Sequence, residues 1–242
     1  MAKSLALSLR NLYETLAISW PTVVDAARNR VDKATCDERL ARWSKRVVAN
    51  ANIELDVRGL ENFDPDARFV IMSNHQSFYD VPVLFAVLGG NLRMVAKKEL
   101  FTVPIFGGAM REAGFIEVDR SNRQRALDSM KVAREALAKG VNVWIAPEGT
   151  RSRTGSLGAF KRGGFYLAFE SKLPVLPVSL SGTRDALGAN AFLSSPGARV
   201  RVTISPPVDT AAFLAEGRPG RDRLMVAVRE AIANGLQERG SP

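Results

Sequence analysis

His75 is the one histidine among 242 residues, and it stands in the octapeptide SNHQSFYD (residues 73–80), five positions before Asp80. A carboxylate held on one imidazole nitrogen fixes the tautomer and leaves the other nitrogen to take a proton from a hydroxyl. Histidine's unperturbed pKa of about 6.5 suits that task at neutral pH. The two side chains cannot meet on a continuous helix, where residues five apart lie roughly 140° round the axis. They can meet if His75 sits on a loop after a strand and Asp80 opens the next helix. The sequence favours that arrangement. "RFVIMS" upstream is a buried-strand run, Ser77 with Asp80 three residues on resembles a capping box, and Pro82 forbids a long regular helix before it. The octapeptide alone is also compatible with a plain helix cap at Asp80 and a structural His75.

Three further stretches carry chemistry. "APEGTRSRTG" (residues 146–155) follows the strand-like "VNVWIA". Arg151 and Arg153 there offer fork-shaped donors to a phosphate, and backbone amides around Gly149 can form an anion-binding nest. Glu148 could orient those cations or bind a substrate hydroxyl; an exposed, solvated turn is the other reading. In "GFIEVDRSNR" (residues 114–123), Arg120 stands at a strand end just before a helix start, a position that favours anions. An Asp119–Arg120 surface pair would explain it equally. The two prolines of "LPVLPVSLSGT" (residues 173–183) argue for a sheet edge or a strand boundary.

These segments need a scaffold, and the rest of the chain describes one. Residues 4–19 place Leu5, Leu9, Leu12, Tyr13 and Leu16 at helical spacing, and Pro21 is expected to end or restart that helix. A second periodic stretch runs from about Thr22 to Asn50 with a break near Lys33. Residues 1–50 therefore read as two or three amphipathic helices that either cover the core or dock on a membrane surface, where Tyr13, Trp20 and flanking basic residues favour the interface. From residue 51 the pattern alternates between strands and helices. "IELDVRG" reads as a half-buried strand, and residues 121–140 as a helix with Ser121 as cap and Gly140 as stop. The expected fold class is α/β: a mixed central sheet layered by helices in residues 51–242, preceded by the N-terminal amphipathic segment.

Composition narrows the partners. The net charge of +9, from 34 basic and 25 acidic residues, suits nucleic acid, acidic headgroups or a phosphorylated substrate. One cysteine, Cys36, excludes an internal disulfide, and one His with one Cys excludes a His/Cys zinc site. The charge-free run from Thr15 to Val24 is about half of the roughly 20 residues a spanning helix needs.

Taken together, "NHQSFYD", "GFIEVDR", "APEGTRS" and "LPVLPV" resemble, in order and approximate spacing, the four motif blocks of the glycerolipid acyltransferases. "VAKKELFTVPIFGGAMREAG" and "LGAFKRGGFYLA" resemble the segments between and after them, so the resemblance covers about residues 55–210. It implies transfer of a fatty acyl group from acyl-CoA or acyl-carrier protein, as co-substrate rather than cofactor, to the hydroxyl of lysophosphatidic acid, giving phosphatidic acid. Carried over residue by residue, His75 would be the base and Asp80 its orienting group. Arg120, Glu148, Gly149, Thr150 and Arg151 would hold the glycerol phosphate end, and the block around Pro177 would handle the acyl donor. Lys97 or Lys98 would hold phosphate or stabilise the developing oxyanion. The resemblance also implies a peripheral or monotopic location on the cytoplasmic face of a membrane. Ala146 and Glu117 depart from the residues more usual in the family, which bears on acceptor identity. Other readings are a different lysolipid acceptor, such as a lyso-ornithine lipid, a nucleic-acid-binding protein, or a His–Asp hydrolase. No nucleic-acid motif is present and no Gly-x-Ser-x-Gly elbow supplies a nucleophile. No spacing calls for a metal.

Overall fold

The structure, a computed structural model, describes residues 2–119 and 121–237. In chain order the elements are α1 (Leu5–Ala27), α2 (Lys33–Asn50), β1 (Glu54–Arg58), β2 (Val70–Ser73), α3 (Asp80–Leu88), β3 (Leu92–Lys97), α4 (Lys98–Phe101), α5 (Phe106–Glu112) and β4 (Ile116–Val118). They continue with α6 (Arg123–Ala138), β5 (Asn142–Ile145), α7 (Gly163–Ser171), β6 (Val175–Ser181), α8 (Thr183–Ala186), β7 (Arg199–Ile204), α9 (Ala211–Leu214) and α10 (Arg218–Gln237).

The continuous apolar runs become strands buried on both faces. In β2, Ile71 faces one hydrophobic cluster while Val70 and Met72 face the other; in β5, Trp144 and the pair Val143 and Ile145 divide the same way. That is the period-2 alternation of a strand, with an apolar residue on each side. The first face is covered by α3, with α2 packed on α3 and α1 outside it; α6, α7 and α10 cover the second. Each fully buried side chain of this kind, Ile71 or Phe165 for example, contributes roughly 1.5–3 kcal/mol over leaving it exposed.

The seven strands form one sheet in the order β1-β7-β6-β2-β5-β3-β4. β6, β2, β5, β3 and β4 run parallel, β7 is antiparallel to β6, and β1 is parallel to β7, so the sheet is mixed as expected. This direction decides where chemistry can occur. The loops after β2, β4, β5 and β6 all leave the sheet at one edge, and they carry the four motif blocks.

Four local expectations change. α1 runs through Pro21 to Ala27. The proline removes the donor for the Ala17 carbonyl, but the Ser19 and Thr22 hydroxyls bond back to the Thr15 and Ile18 carbonyls at 2.7 and 2.8 Å, and packing on α2 and α5 keeps both halves in line. β1, at one edge of the sheet, is exposed on both faces rather than half-buried; ion pairs to Arg199 and Arg201 tie it to β7. The cap of α6 is Asn122, whose side chain accepts from Arg125 N, while Ser121 donates to Asp119. Finally, of the two prolines only Pro174 marks a strand boundary, just before β6; Pro177 lies within β6, which is inside the sheet and not at its edge. Pro177 is buried beside Met72, and its carbonyl accepts from Ser205 N at 3.0 Å. A residue's N–H and C=O point to the same side of a strand, so the imide nitrogen faces β7 just beyond Ile204, where that ladder ends. The missing donor costs only the second bond of the terminal Pro177–Ser205 pair, beyond the last residue of β7.

α1 is inverted relative to an ordinary surface helix. Its inner face buries Glu14, Ser19 and Thr22 beside Leu7, with Ile18 packed on the core, Trp43 Nε1 donating to Thr15 Oγ1 at 3.1 Å and Arg46 3.3 Å from Glu14. Its outer face carries Leu5, Leu9, Leu12, Tyr13, Leu16 and Trp20, between 40% and 67% exposed.

Candidate active site

β2 delivers the chain to the open edge, and Asn74 fixes its exit. The Asn74 side chain accepts from Leu180 N at 2.7 Å and donates to Leu180 O at 2.8 Å, stitching the loop to β6; Gln76 Nε2 donates to the same carbonyl at 2.6 Å. The loop then turns into α3, whose first residue is Asp80. The Asp80 carboxylate is fully buried. Its Oδ2 lies 2.7 Å from His75 Nδ1 and accepts the backbone N–H groups of Gln76 and Ser77 at 2.7 and 2.9 Å. Its Oδ1 accepts the Thr183 hydroxyl at 2.5 Å. One carboxylate thus holds both the loop amides and the His75 ring, while the N-cap position of α3 is Tyr79, without a side-chain cap. An ionised carboxylate only accepts, so Nδ1 carries the proton and Nε2 is the ring nitrogen left for exchange. Trp144 meets the imidazole edge-on, ring centroids 5.8 Å apart, and donates Nε1–H to Ser73 Oγ at 2.9 Å.

The loop after β5 grips His75 by its backbone. Glu148 is buried; Oε1 accepts His75 N–H at 2.9 Å and Oε2 accepts Gly158 N–H at 2.7 Å. Ser152 N–H donates to His75 O at 2.7 Å. Glu148, expected at the glycerol phosphate end, therefore turns both oxygens to backbone amides. Gly149 takes φ of 71°, the left-handed region where a glycine is unstrained, and lets the turn reach Arg151.

Arg151 lies over the Phe78 ring, its guanidinium carbon 3.8 Å from the centroid. Its Nη1 is buried with no hydrogen-bond partner among the described residues. Burial pulls its pKa down, while the Asp80 charge opposes the shift; guanidinium stays charged. His75, Lys97, Trp144, Gly149, Thr150 and Arg151 all line a cleft of about 180 Å³. Lys98 turns to Asp119 at 2.9 Å. Arg120 lies outside the described residues. Alongside the cleft runs a mostly apolar groove of about 360 Å³ that shares Phe78, Val81, Met94 and Leu100 with it and reaches Leu12 on α1 and the exposed Phe192. Among the described residues, no group of three or more His, Cys, Asp or Glu is placed to hold a metal ion.

Thr183 was visible in the fourth block but carried no sign of its role, because its partner is 103 residues away. Phe78, inside the octapeptide, has a use only once the Arg151 loop folds over it.

An imidazole on a buried carboxylate, at the carboxyl edge of the parallel strands and beside a guanidinium with one unpaired nitrogen, defines a class of base-assisted transfer site. The acyltransferase family model matches residues 54–181, and the chain belongs to that family. It is 35% identical over 191 residues to the mouse protein "1-acyl-sn-glycerol-3-phosphate acyltransferase alpha", covering 76% of this chain and 67% of that one. It is 44% identical over 142 residues to the Pseudomonas aeruginosa 1-acyl-sn-glycerol-3-phosphate acyltransferase, 58% of this chain and 54% of that one. The chain thus spans about two thirds of the first relative's length and about half of the second's. The crystal structure of the 1-acyl-sn-glycerophosphate (LPA) acyltransferase PlsC from Thermotoga maritima superposes with a TM-score of 0.74 at 26% identity, over 98% of this chain and all of that one.

Proposed function

We propose that this chain transfers a fatty acyl group from an acyl thioester, acyl-CoA or acyl-carrier protein, to the free hydroxyl of 1-acylglycerol 3-phosphate, giving phosphatidic acid at a membrane surface. The observation that carries it is the His75–Asp80 contact of 2.7 Å beside a cleft holding Arg151. Asp80 holds the Nδ1–H tautomer, and Nε2 takes the proton of the acceptor hydroxyl as its oxygen attacks the thioester carbonyl. The C–O bond forms, the C–S bond breaks, and the same proton passes from Nε2 to the leaving thiolate. No acyl-enzyme is formed, and Cys36 lies away from the cleft, against Glu112. Arg151 and Lys97 hold the acceptor's phosphate with Gly149 and Thr150 beside them, and Arg120 acts from the neighbouring block. Glu148 and Thr183 position the base and its carboxylate, and the apolar groove takes a hydrocarbon chain.

The outward apolar stripe of α1 supports membrane docking. Six large side chains on one face of one helix are a surface for lipid, since an apolar stripe on a surface helix otherwise faces the core. Among the described residues no helix is long and apolar enough to cross a membrane, which suits a helix lying in the interface. We assign the docked face to the cytoplasmic side, where acyl thioesters are available.

The test is transfer of labelled palmitoyl or oleoyl from its CoA thioester to lysophosphatidic acid by the wild-type protein and by His75→Ala, with folding checked by circular dichroism. Transfer by the first and none by a folded second is expected. Equal transfer by both would refute the role of His75; failure of both with acyl-CoA and with acyl-carrier protein would refute the acceptor.

A further inference from the structure

Phe78 is 47% exposed, and nothing in the dyad requires it. A large aromatic left half in solvent needs an account, and its surroundings supply one. The ring lines both the polar cleft and the apolar groove, and it carries the Arg151 guanidinium at 3.8 Å. Arg151 makes no hydrogen bond through Nη1, and the loop bearing it is anchored by Ser152 N on His75 O, one residue further on. The Phe78 ring therefore faces the guanidinium, and both residues line the cleft. Cation–π contact grows stronger as the cation loses water, and here the cation is partly buried.

We propose that Phe78 is a specificity-determining residue: it is the platform that aims Arg151 at an anionic headgroup and the partition that sends the acyl chain of the same acceptor into the groove. It fixes the acceptor at one point along its length, with phosphate on one side of the ring and hydrocarbon on the other, so that the hydroxyl between them stands at His75. This rests on the phosphate assignment made above for Arg151.

The experiment compares Phe78→Leu, which keeps apolar bulk but loses the π face, with Phe78→Tyr, which keeps both. Kinetics on vesicle-borne lysophosphatidic acid are read together with calorimetric titration of sn-glycerol 3-phosphate, a headgroup probe that needs no turnover. Phe78→Leu is expected to raise KM for the acceptor and Kd for the probe about 5- to 30-fold, with kcat within twofold of wild type and vesicle binding unchanged. Phe78→Tyr restores both constants. In a double-mutant cycle Phe78→Leu adds nothing to Arg151→Ala, because the platform has nothing left to carry. Additive effects, unchanged probe binding in Phe78→Leu, or loss of vesicle binding as the main defect would overturn the platform. A wild-type protein that binds the probe but does not acylate lysophosphatidic acid would instead defeat the substrate assignment and leave the platform standing.

Discussion

Charging the outer face of α1 should detach the protein from a bilayer without unfolding it. Leu5 and Leu9 are 60% and 56% exposed, so each has roughly half of its burial free energy still to gain. Full burial of a leucine is worth ~1.5–3 kcal/mol, and seating each in lipid therefore adds about 1 kcal/mol. Glutamate forfeits that and meets repulsion of about 1 kcal/mol per charge at an anionic surface. The Leu5→Glu/Leu9→Glu variant thus loses about 4 kcal/mol of docking, a partition coefficient weaker by ~100- to 1,000-fold at 1.4 kcal/mol per decade. On zwitterionic vesicles only the apolar half is lost, and the deficit falls to ~30-fold. Both sites are mostly in solvent, so the unfolding free energy should stay within ~0.5 kcal/mol of wild type. Co-sedimentation with sucrose-loaded vesicles measures the partition, and urea unfolding the control. Binding within threefold of wild type on anionic vesicles, with the fold intact, would show that α1 does not carry the docking.

Three other perturbations follow from the same contacts. Thr183→Val leaves Asp80 Oδ1 buried without its hydroxyl donor; urea unfolding should show a loss of ~1–3 kcal/mol and kcat a fall of roughly tenfold, both recovered by Thr183→Ser. Pro21→Ala returns a donor to the Ala17 carbonyl in the middle of α1 and should raise stability by ~1–3 kcal/mol; a lowered thermal midpoint would deny that the helix is continuous there. Bonds from Ser121 and Lys98 hold the Asp119 carboxyl well below the usual carboxylate range. A depressed folded pKa stabilises above the unfolded value of about 3.9 and loses that contribution as pH falls. Urea midpoints should then separate wild type from Asp119→Asn by a constant gap from pH 7 to about pH 5, shrinking below about pH 4; a gap that widens in acid would contradict this.

Much of the site was legible because its residues are local in sequence. SNHQSFYD contains the base, its carboxylate and the amides that cap it, and strand, loop and helix each follow from nearest-neighbour chemistry. The order of the strands was not legible, since apolar runs such as VIMS and NVWI fit any interior position. That is why Pro177 suggested an edge: only the end of β7 at Ile204 explains how a proline fits between two partners. Periodicity found the α1 stripe but gave no sign of which way it points. The buried Glu14 and Thr22 decide that, through Arg46 and Arg39 on α2, while the buried Ser19 bonds back to Thr15 O. The resemblance put Glu148 with the substrate; its burial against two backbone amides is a property of the folded loop.

The bonds that complete the dyad close long loops: Asn74 to Leu180 over 106 residues, Asp80 to Thr183 over 103. A ribosome adds roughly 5–20 residues per second, so Thr183 is synthesised ~8–30 s after α1 has ended at Ala27. The greasy helix is thus available to a nearby bilayer while the catalytic carboxylate still lacks its last donor. The nascent chain is an amphiphile first and a catalyst second, and a fragment stopped before β6 should settle on lipid yet turn nothing over.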